Sequence, residues 1–321
     1  MTSIFHAEQI KEIVHKLDIS EQLEQGFVAY SQNNVVVPPV GELVFENPPG
    51  DAHIKYGYIK EDDYFVIKIA SGFYENHKLD LPSSSGLMLL FSQKTGMLVS
   101  VLIDEGYLTN VRTAIAGQIV AKYMAPKEVN GIGVFGTGIQ GRLQVEYLKP
   151  VTDCRKVVVW GQENDDFASY ISEMETKGYT VETTTDVETL TRQCNLIITA
   201  TPSRTPLIQA EQLLAGTHIT AMGSDTPEKQ ELDSEILKKA DIIVADSIEQ
   251  CLTRGEIHKA LEAGMIKEES VFELGNVILQ PNLGRTSENQ LTVADLTGVA
   301  VQDIQITKAV YQAIREASGK Q

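Results

Sequence analysis

An apolar run, Gly131-Ile132-Gly133-Val134-Phe135, leads straight into Gly136-Thr137-Gly138-Ile139-Gln140-Gly141, and a helix-like segment from Leu143 to Leu148 follows. This Gly-x-Gly-x-x-Gly spacing between strand and helix constrains the fold more than any other feature. The first glycine permits a tight turn, the second lets a pyrophosphate approach the backbone, and the third lets helix and strand pack closely. The start of the helix adds unpaired N–H groups and the positive end of a dipole. Alone, the spacing is a weak signal, and a glycine-rich turn in some other α/β protein is the plain alternative.

Its setting strengthens it. From Val129 onward, strand candidates recur at 131–135, 156–160, 179–183, 195–199, 217–221 and 241–245, with helices at 164–177 and 186–193. Such alternation predicts a doubly wound parallel sheet of the Rossmann kind. The part before Val129 has another texture. Helices are expected at 7–17 and 20–31, with Asp18 and Glu21 forming a capping box for the second. Strands follow at Val35–Val37, Glu42–Phe45, His53–Tyr56, Tyr64–Ala70, Leu87–Phe91 and Leu98–Leu102, separated by turn signals such as Pro48-Pro49-Gly50-Asp51. A helix from about Asn110 to Met124 stops before Pro126, and a last helix, about 298–317, begins past the final Rossmann strand, so that it could return to the first domain.

The chain of 321 residues has room for two domains and a core that needs no staples. Three unevenly spaced cysteines form no disulfide framework, which suits a reducing, cytoplasmic setting. No signal peptide or bilayer-length apolar run is expected. A net charge of −17 argues against nucleic acid or anionic membrane as partner, and an anionic substrate would need locally placed cations. The six histidines show no metal-ligand spacing, so no metal site is expected.

Several residues are candidates for chemistry. At the end of the second Rossmann strand, where an acid selects NAD and an arginine NADP, the chain has Trp160-Gly161-Gln162, with Glu163 and Asp165 slightly beyond. NADH or NADPH is therefore left open. Thr199-Ala200-Thr201 closes the fourth strand and could line the nicotinamide ribose, or form an ordinary turn. Lys68 lies in a strand apolar on both faces, where an unpaired cation is costly; it either turns toward an anionic ligand or reaches water from an edge strand. Arg112, with Thr109 or Asn110 as cap, falls in the first turn of its helix, where a cation opposes the dipole unless an anion is bound there too; a surface or ion-paired arginine is the alternative. Asp225 follows the fifth strand and could deliver a proton beside the nicotinamide, or cap a helix opening at Thr226-Pro227-Glu228. Lys55 is a second strand lysine, a further positive contact or simply exposed. Thr297 reads as a plain N-cap.

Together these pieces resemble the ornithine cyclodeaminase/μ-crystallin family. The carrying motifs are Val66-Ile-Lys68, Leu108-Thr-Asn-Val-Arg112-Thr-Ala, Gly136-Thr-Gly138-Ile-Gln140-Gly141, Met222-Gly-Ser-Asp225-Thr-Pro-Glu-Lys-Gln-Glu231, Gly284-Arg-Thr-Ser287 and Asp295-Leu-Thr297-Gly298-Val-Ala-Val-Gln302-Asp303. They cover nearly the whole chain in order. The resemblance implies a homodimer, with residues 1–118 and a C-terminal helix at about 300–321 as the substrate-binding and dimerisation domain, α+β in class, and residues 119–299 as the Rossmann domain. It implies that Lys68 and Arg112 hold a substrate carboxylate and that Lys68 and Asp225 are catalytic, Asp225 handling the proton near the reacting nitrogen. The cofactor is expected at Thr113, Gly136, Thr137, Gly138, Ile139 and Gln140. Further contacts are expected from Gly161 and Gln162, from Thr199, Ala200 and Thr201, from Met222, Gly223 and Ser224, and from Thr297 and Gly298.

Many members carry an arginine shortly after a Pro-Pro-like segment, which helps bind the carboxylate. Here Pro38-Pro39 is followed by Val40-Gly41-Glu42, and Lys55 is the candidate substitute. The expected activity is NAD(P)H-dependent reduction of a small α-imino acid, with Δ1-pyrroline-2-carboxylate giving L-proline as the first reading. Ornithine cyclodeamination, iminosuccinate reduction and alanine dehydrogenation are alternatives within the family. A non-catalytic protein that binds NADPH or a hormone, as μ-crystallins do, is the alternative of another class.

Overall fold

The computed structural model describes residues 2–73 and 75–319, with His77 lacking a described side chain. Residues 1, 74, 320 and 321, which fall within the ranges expected for the first domain, lie outside the described residues. The chain divides into two compact units: Met1–Arg112 with Val299–Gln321, and Thr113–Gly298.

The first unit is a mixed α+β layer. It contains strands β1 (Ser3–His6), β2 (Val35–Val36), β3 (Gly41–Glu46), β4 (Pro49–Ile59), β5 (Tyr64–Phe73), β6 (Ser84–Ser92) and β7 (Leu98–Ile103), and helices α1 (Ala7–Val14) and α2 (Ser20–Ser31). The sheet order is β1-β7-β6-β5-β4-β2, with β3 paired to β4. All pairs are antiparallel except β1 with β7. The C-terminal helix Ala300–Ala317 lies against β4, β5, β6 and α2. Side chains on a strand alternate between faces, so Val66 and Lys68 of β5 point to the covered side while Ile69 stays exposed. Ile10, Leu23, Phe27, Met88, Leu90 and Leu102 form the buried side of this layer.

Three local expectations change here. The strand β1 arises from Ser3–His6, where no strand was expected; its parallel pairing with β7 supplies hydrogen bonds that local sequence does not announce. The capping box at Asp18 does not form. Ile19 is the N-cap of α2 and makes no side-chain cap bond, while the Asp18 carboxylate accepts from the Ser20 amide at 3.0 Å. The turn expected over Pro48–Asp51 is shorter, because β4 already begins at Pro49 and pairs with Glu46.

Helix α3 (Tyr107–Met124) begins three residues earlier than expected. Asp104 makes the difference: its Oδ2 accepts the Leu108 amide at 2.8 Å, satisfying one of the amides that a helix start leaves unpaired. Arg112 is thereby moved out of the first turn.

The second unit holds one all-parallel sheet. Its strands are β8 (Ile132–Phe135), β9 (Lys156–Trp160), β10 (Thr180–Thr184), β11 (Leu196–Thr199), β12 (His218–Ala221), β13 (Ile242–Ala245), β14 (Val271–Glu273) and β15 (Thr292–Asp295), in the order β10-β9-β8-β11-β12-β15-β13-β14. Helices α4 (Ile139–Tyr147), α5 (Phe167–Thr176), α6 (Val187–Gln193), α7 (Ser234–Lys239), α8 (Ile248–Cys251), α9 (Gly255–Glu262) and α10 (Leu274–Leu279) connect them. The order reverses between β8 and β11, and in such sheets ligands collect beyond the carboxyl ends of the strands at that reversal. Strands β14 and β15 were not anticipated. Thr292–Asp295, last in sequence, inserts between β12 and β13, where every residue is buried. The C-terminal helix, now α11 (Ala300–Ala317), follows it into the first unit. Among the described residues no helix is long and apolar enough to cross a membrane.

Candidate active site

The glycine-rich turn forms as its spacing dictates. Gly136 has φ +109°, a conformation that side chains rarely adopt, and a Cβ on Gly141 would lie 2.1 Å from the Gly136 carbonyl oxygen. A Cβ on Gly138 would meet nothing within 4 Å; it would instead stand in a cavity of about 550 Å³ that this glycine helps line. The cavity wall continues through Gly136, Thr137, Trp160, Gln162, Asp165 and Ala200–Ser203. Gly138 is also the N-cap of α4, with no side-chain cap bond of its own. An open backbone cradle at a helix start, walled by strand ends β8, β9 and β11, fits a dinucleotide pyrophosphate. Ile139, the first residue of α4, is exposed. Gln140 is turned to Gln144, whose Nε2 donates to Gln140 Oε1 at 3.2 Å and to the Thr113 carbonyl at 2.9 Å.

Beyond β11 and β12, two buried carboxylates brace the loops. Glu231 Oε1 accepts the Thr201 amide and hydroxyl, each at 2.7 Å, and Oε2 accepts the Gly223 amide at 3.0 Å. Glu256 Oε1 accepts the Ser224 hydroxyl at 2.5 Å and the Glu231 amide at 2.7 Å, and its Oε2 accepts the Leu232 amide at 3.0 Å. Burial raises both carboxyl groups to about 7; for Glu256 the charge of Glu231 adds to the rise, and in both cases the hydrogen bonds oppose it. Thr199 and Met222 are buried beside these loops.

Asp225 sits at the exposed end of the braced segment. Its Oδ1 accepts Lys229 Nζ at 2.6 Å, and its backbone carbonyl accepts from Arg254 at 3.3 Å. It caps no helix, because Thr226–Lys229 forms only a turn. Nor is Thr297 an N-cap: Val299 takes that place before α11. The Thr297 amide and hydroxyl donate to Asp246 Oδ1 at 3.2 and 3.1 Å, and the Gly298 amide to Asp246 Oδ2 at 2.6 Å. These two residues are thus held by a buried carboxylate that the sequence reading did not single out.

In the first unit, the expected cations converge. Lys68 is buried on a central strand, not an edge, and its Nζ lies 3.1 Å from Asp303 Oδ2 on α11. Arg112, also buried, places Nε 3.1 Å from Asp303 Oδ1 and donates from Nη1 to Gln302 Oε1 at 2.8 Å. Lys55 is the register partner of Lys68 across β4 and β5, and directly paired residues project to the same face. Arg112 is therefore neither a free clamp at a helix start nor a surface residue. It is half of a cation pair held by one carboxylate.

The two Asp303 contacts are close but do not have hydrogen-bond geometry. Charge holds the cations, and their donors are not all committed: Arg112 Nη2 makes no hydrogen bond among the described residues. Burial pulls Lys68 down to about 7; Asp303 opposes the fall, while the charges of Arg112 and Lys55 add to it. Burial pushes Asp303 up, but Lys68 and Arg112 outweigh it, so its carboxyl lies below its usual range. Asp104, which also feels the charge of Lys68, is raised by burial and accepts the Leu108 amide.

Asp303 and Glu231, like Asp246, were not singled out from the sequence. Asp303 and Glu231 lay inside the quoted motifs. Asp303 had a usable signal: an acid within Val299-Ala-Val-Gln-Asp303-Ile-Gln-Ile, a helical stretch too apolar to face water, must find a buried cation.

Comparison with known proteins follows the same lines. The family model described as the ornithine cyclodeaminase/mu-crystallin family matches residues 2–318. The alanine dehydrogenase of Archaeoglobus fulgidus is 35% identical over 312 residues, 97% of this chain and 94% of the relative. Among solved structures, an archaeal alanine dehydrogenase dimer with bound NAD superposes with a TM-score of 0.89 at 34% identity, covering 99% of this chain and 97% of that one. The Thermococcus litoralis Δ1-pyrroline-2-carboxylate reductase, solved with NADH and L-proline, gives 0.92 at 26% identity, covering 99% and 98%.

Proposed function

The chain belongs to the ornithine cyclodeaminase/mu-crystallin family, and from that premise we propose that it reduces the acyclic imine of a small 2-oxo acid to the amino acid. At the coarser level, it is an NAD(P)-dependent oxidoreductase acting on imino or amino acids. The observation that carries the proposal is the pair of buried cations, Lys68 and Arg112, in contact with a single carboxylate, Asp303. Two cations against one carboxylate leave a positive charge that a second carboxylate, that of the substrate, would balance, and the planar guanidinium suits a carboxylate well. Lys55, alongside Lys68, adds to the positive field.

The glycine cradle and the first amides of α4 would hold the cofactor pyrophosphate. The bound nicotinamide would supply a hydride to the imine carbon. An imine carbon is far more electrophilic when its nitrogen is protonated, and the carboxyl group of Asp225 is the candidate to hold or deliver that proton. Glu231 and Glu256 would act indirectly, through the Gly223 amide and the Ser224 hydroxyl that precede Asp225. The acyclic imine is preferred over the cyclic one because the alanine dehydrogenase match is at 35% identity along 97% of the chain, against 26% for the pyrroline-2-carboxylate reductase structure. Reduction of Δ1-pyrroline-2-carboxylate is the second reading.

The same reading makes the chain a homodimer. The side of the first sheet opposite α11 exposes Tyr56, Tyr58 and Ile69, and the β3 strand exposes Leu43, Val44 and Phe45. An apolar area of this kind is characteristic of a protein interface.

The direct test follows reduced-cofactor absorbance with pyruvate plus ammonia, oxaloacetate plus ammonia and Δ1-pyrroline-2-carboxylate, and ornithine with NAD for ammonia release. Turnover is expected with pyruvate and ammonia. Turnover on the cyclic imine alone selects the second reading, and no turnover on any imine defeats both.

A further inference from the structure

In Rossmann sheets the turn after the second strand, here β9, faces the adenosine ribose and discriminates NAD from NADP. The strand ends at Trp160, with no acid in the next two positions. Asp165 is nevertheless brought back to the strand end. Its amide donates to the Gln162 carbonyl at 3.0 Å, and its Oδ2 accepts the Gln162 amide at 2.7 Å, closing a tight loop over Gly161. Gly161 makes this approach possible, because a Cβ there would lie 2.5 Å from Asp165 Oδ2. The carboxylate that results lines the same cavity as the phosphate cradle of Gly136–Gly138. Its Oδ1 takes no hydrogen bond among the described residues.

The charge around it has one sign. Asp165 is the sole charged residue among those lining the cavity. The nearest arginine of the cradle, Arg142, is turned away. It donates to the Thr137 carbonyl at 3.1 Å and to Glu173 at 2.6 Å, and its guanidinium stacks over Tyr170 at 5.2 Å. Arg204, next to the lining residue Ser203, is exposed, does not line the cavity, and acts on Glu228. A neutral ribose diol finds an acceptor here. A ribose phosphate finds a carboxylate and no lining cation.

We propose that Asp165 makes this chain select NAD(H) over NADP(H), accepting a hydrogen bond from the adenosine ribose 2′-hydroxyl and repelling a 2′-phosphate. Cofactor selection is independent of which imine is reduced, although it rests on the chain binding a nicotinamide dinucleotide.

The test is equilibrium binding to the full chain without substrate, read from the fluorescence of NADH and NADPH. NADH is expected to bind at least about tenfold more tightly, and the gap should shrink as salt screens the repulsion. Asp165→Asn keeps an oxygen for the Gln162 amide and removes the charge; it should narrow the ratio severalfold, chiefly by tightening NADPH. Glu163→Gln, which removes a neighbouring exposed charge outside the cavity lining, should leave the ratio unchanged and controls for a general loss of charge in this turn. Equal affinities, tighter NADPH, or an unaltered ratio in Asp165→Asn overturn the assignment and leave the reductase reading standing. Failure to bind either cofactor overturns both.

Discussion

Lys68 Nζ stands 3.1 Å from Asp303 Oδ2, with both side chains sealed from water between β5 and α11. Taking charges into a protein interior costs more than one such contact returns. The pair, and Arg112 on the carboxylate's other oxygen, therefore add little net stability, which accords with the substrate-binding role proposed for the two cations.

Removing Asp303 should be severe. Asp303→Asn leaves two buried cations without their counter-charge, which costs about 3–5 kcal/mol of stability. Lys68→Met and Arg112→Met with Asp303→Leu replace all three buried charges by apolar side chains and should recover most of that loss in a denaturant titration. Turnover should stay low, because the substrate carboxylate has lost its partners. Full activity in the triple variant would refute the binding role.

Substrate capture should weaken with rising pH. A lysine whose folded pKa falls to about 7 loses its charge as pH passes that value. kcat/KM for the imino acid is expected to decline above pH about 7, while cofactor affinity stays flat. Asp303→Asn removes the group that holds the proton on Lys68, so the decline should move to lower pH. A profile identical in both proteins would count against Lys68 as the titrating group.

Asp225→Asn tests proton handling. It should lower kcat by about 10²–10⁴-fold, the usual contribution of a positioned acid or base, and leave NADH binding as it was. The exposed position of Asp225 and its surface pairing with Lys229 make a folding defect an unexpected outcome.

Glu231 and Glu256 make the second unit sensitive to pH in a definite direction. Burial raises their carboxyl groups to about 7 in the folded chain, against an ordinary 4.5. Between those limits the folded state holds protons that the unfolded chain has released, so stability from these groups falls as pH rises from about 4.5 to about 7 and levels off above. Denaturant midpoints measured across that window should show a shallower fall in Glu256→Gln than in the parent protein.

The apolar strand face can be tested by charge. Val44→Asp combined with Tyr58→Asp places carboxylates on two exposed apolar positions. A shift from dimer to monomer in sedimentation is expected, with the far-ultraviolet circular dichroism unchanged. A parent protein that already sediments as a monomer would remove the dimer reading.

Much of the second unit was readable from local pattern. Strands such as Val157–Val159 and Leu196–Ile198 are short apolar runs that recur with helices between them, and the cradle at Gly136–Gly141 announces itself by spacing. Thr292–Asp295 was not readable as the strand between β12 and β13, because its neighbours are set by a crossover from far along the chain. The short β1 is similar: four residues with one buried side chain carry almost no periodic signal.

For the candidate site, residue types and spacing by themselves picked out Lys68, Arg112 and Asp225 and the glycine cradle, because a cation in an apolar strand and three spaced glycines are locally unusual. Only the folded chain decided what those groups touch. It brought Asp303 to the two cations, curled Asp165 back to the end of β9, and tied Thr201 to Gly223 through Glu231. The physical reason is the same each time. Local sequence dictates conformational preference over a few residues, whereas the partner of a buried charge is supplied by whichever distant segment the topology lays against it.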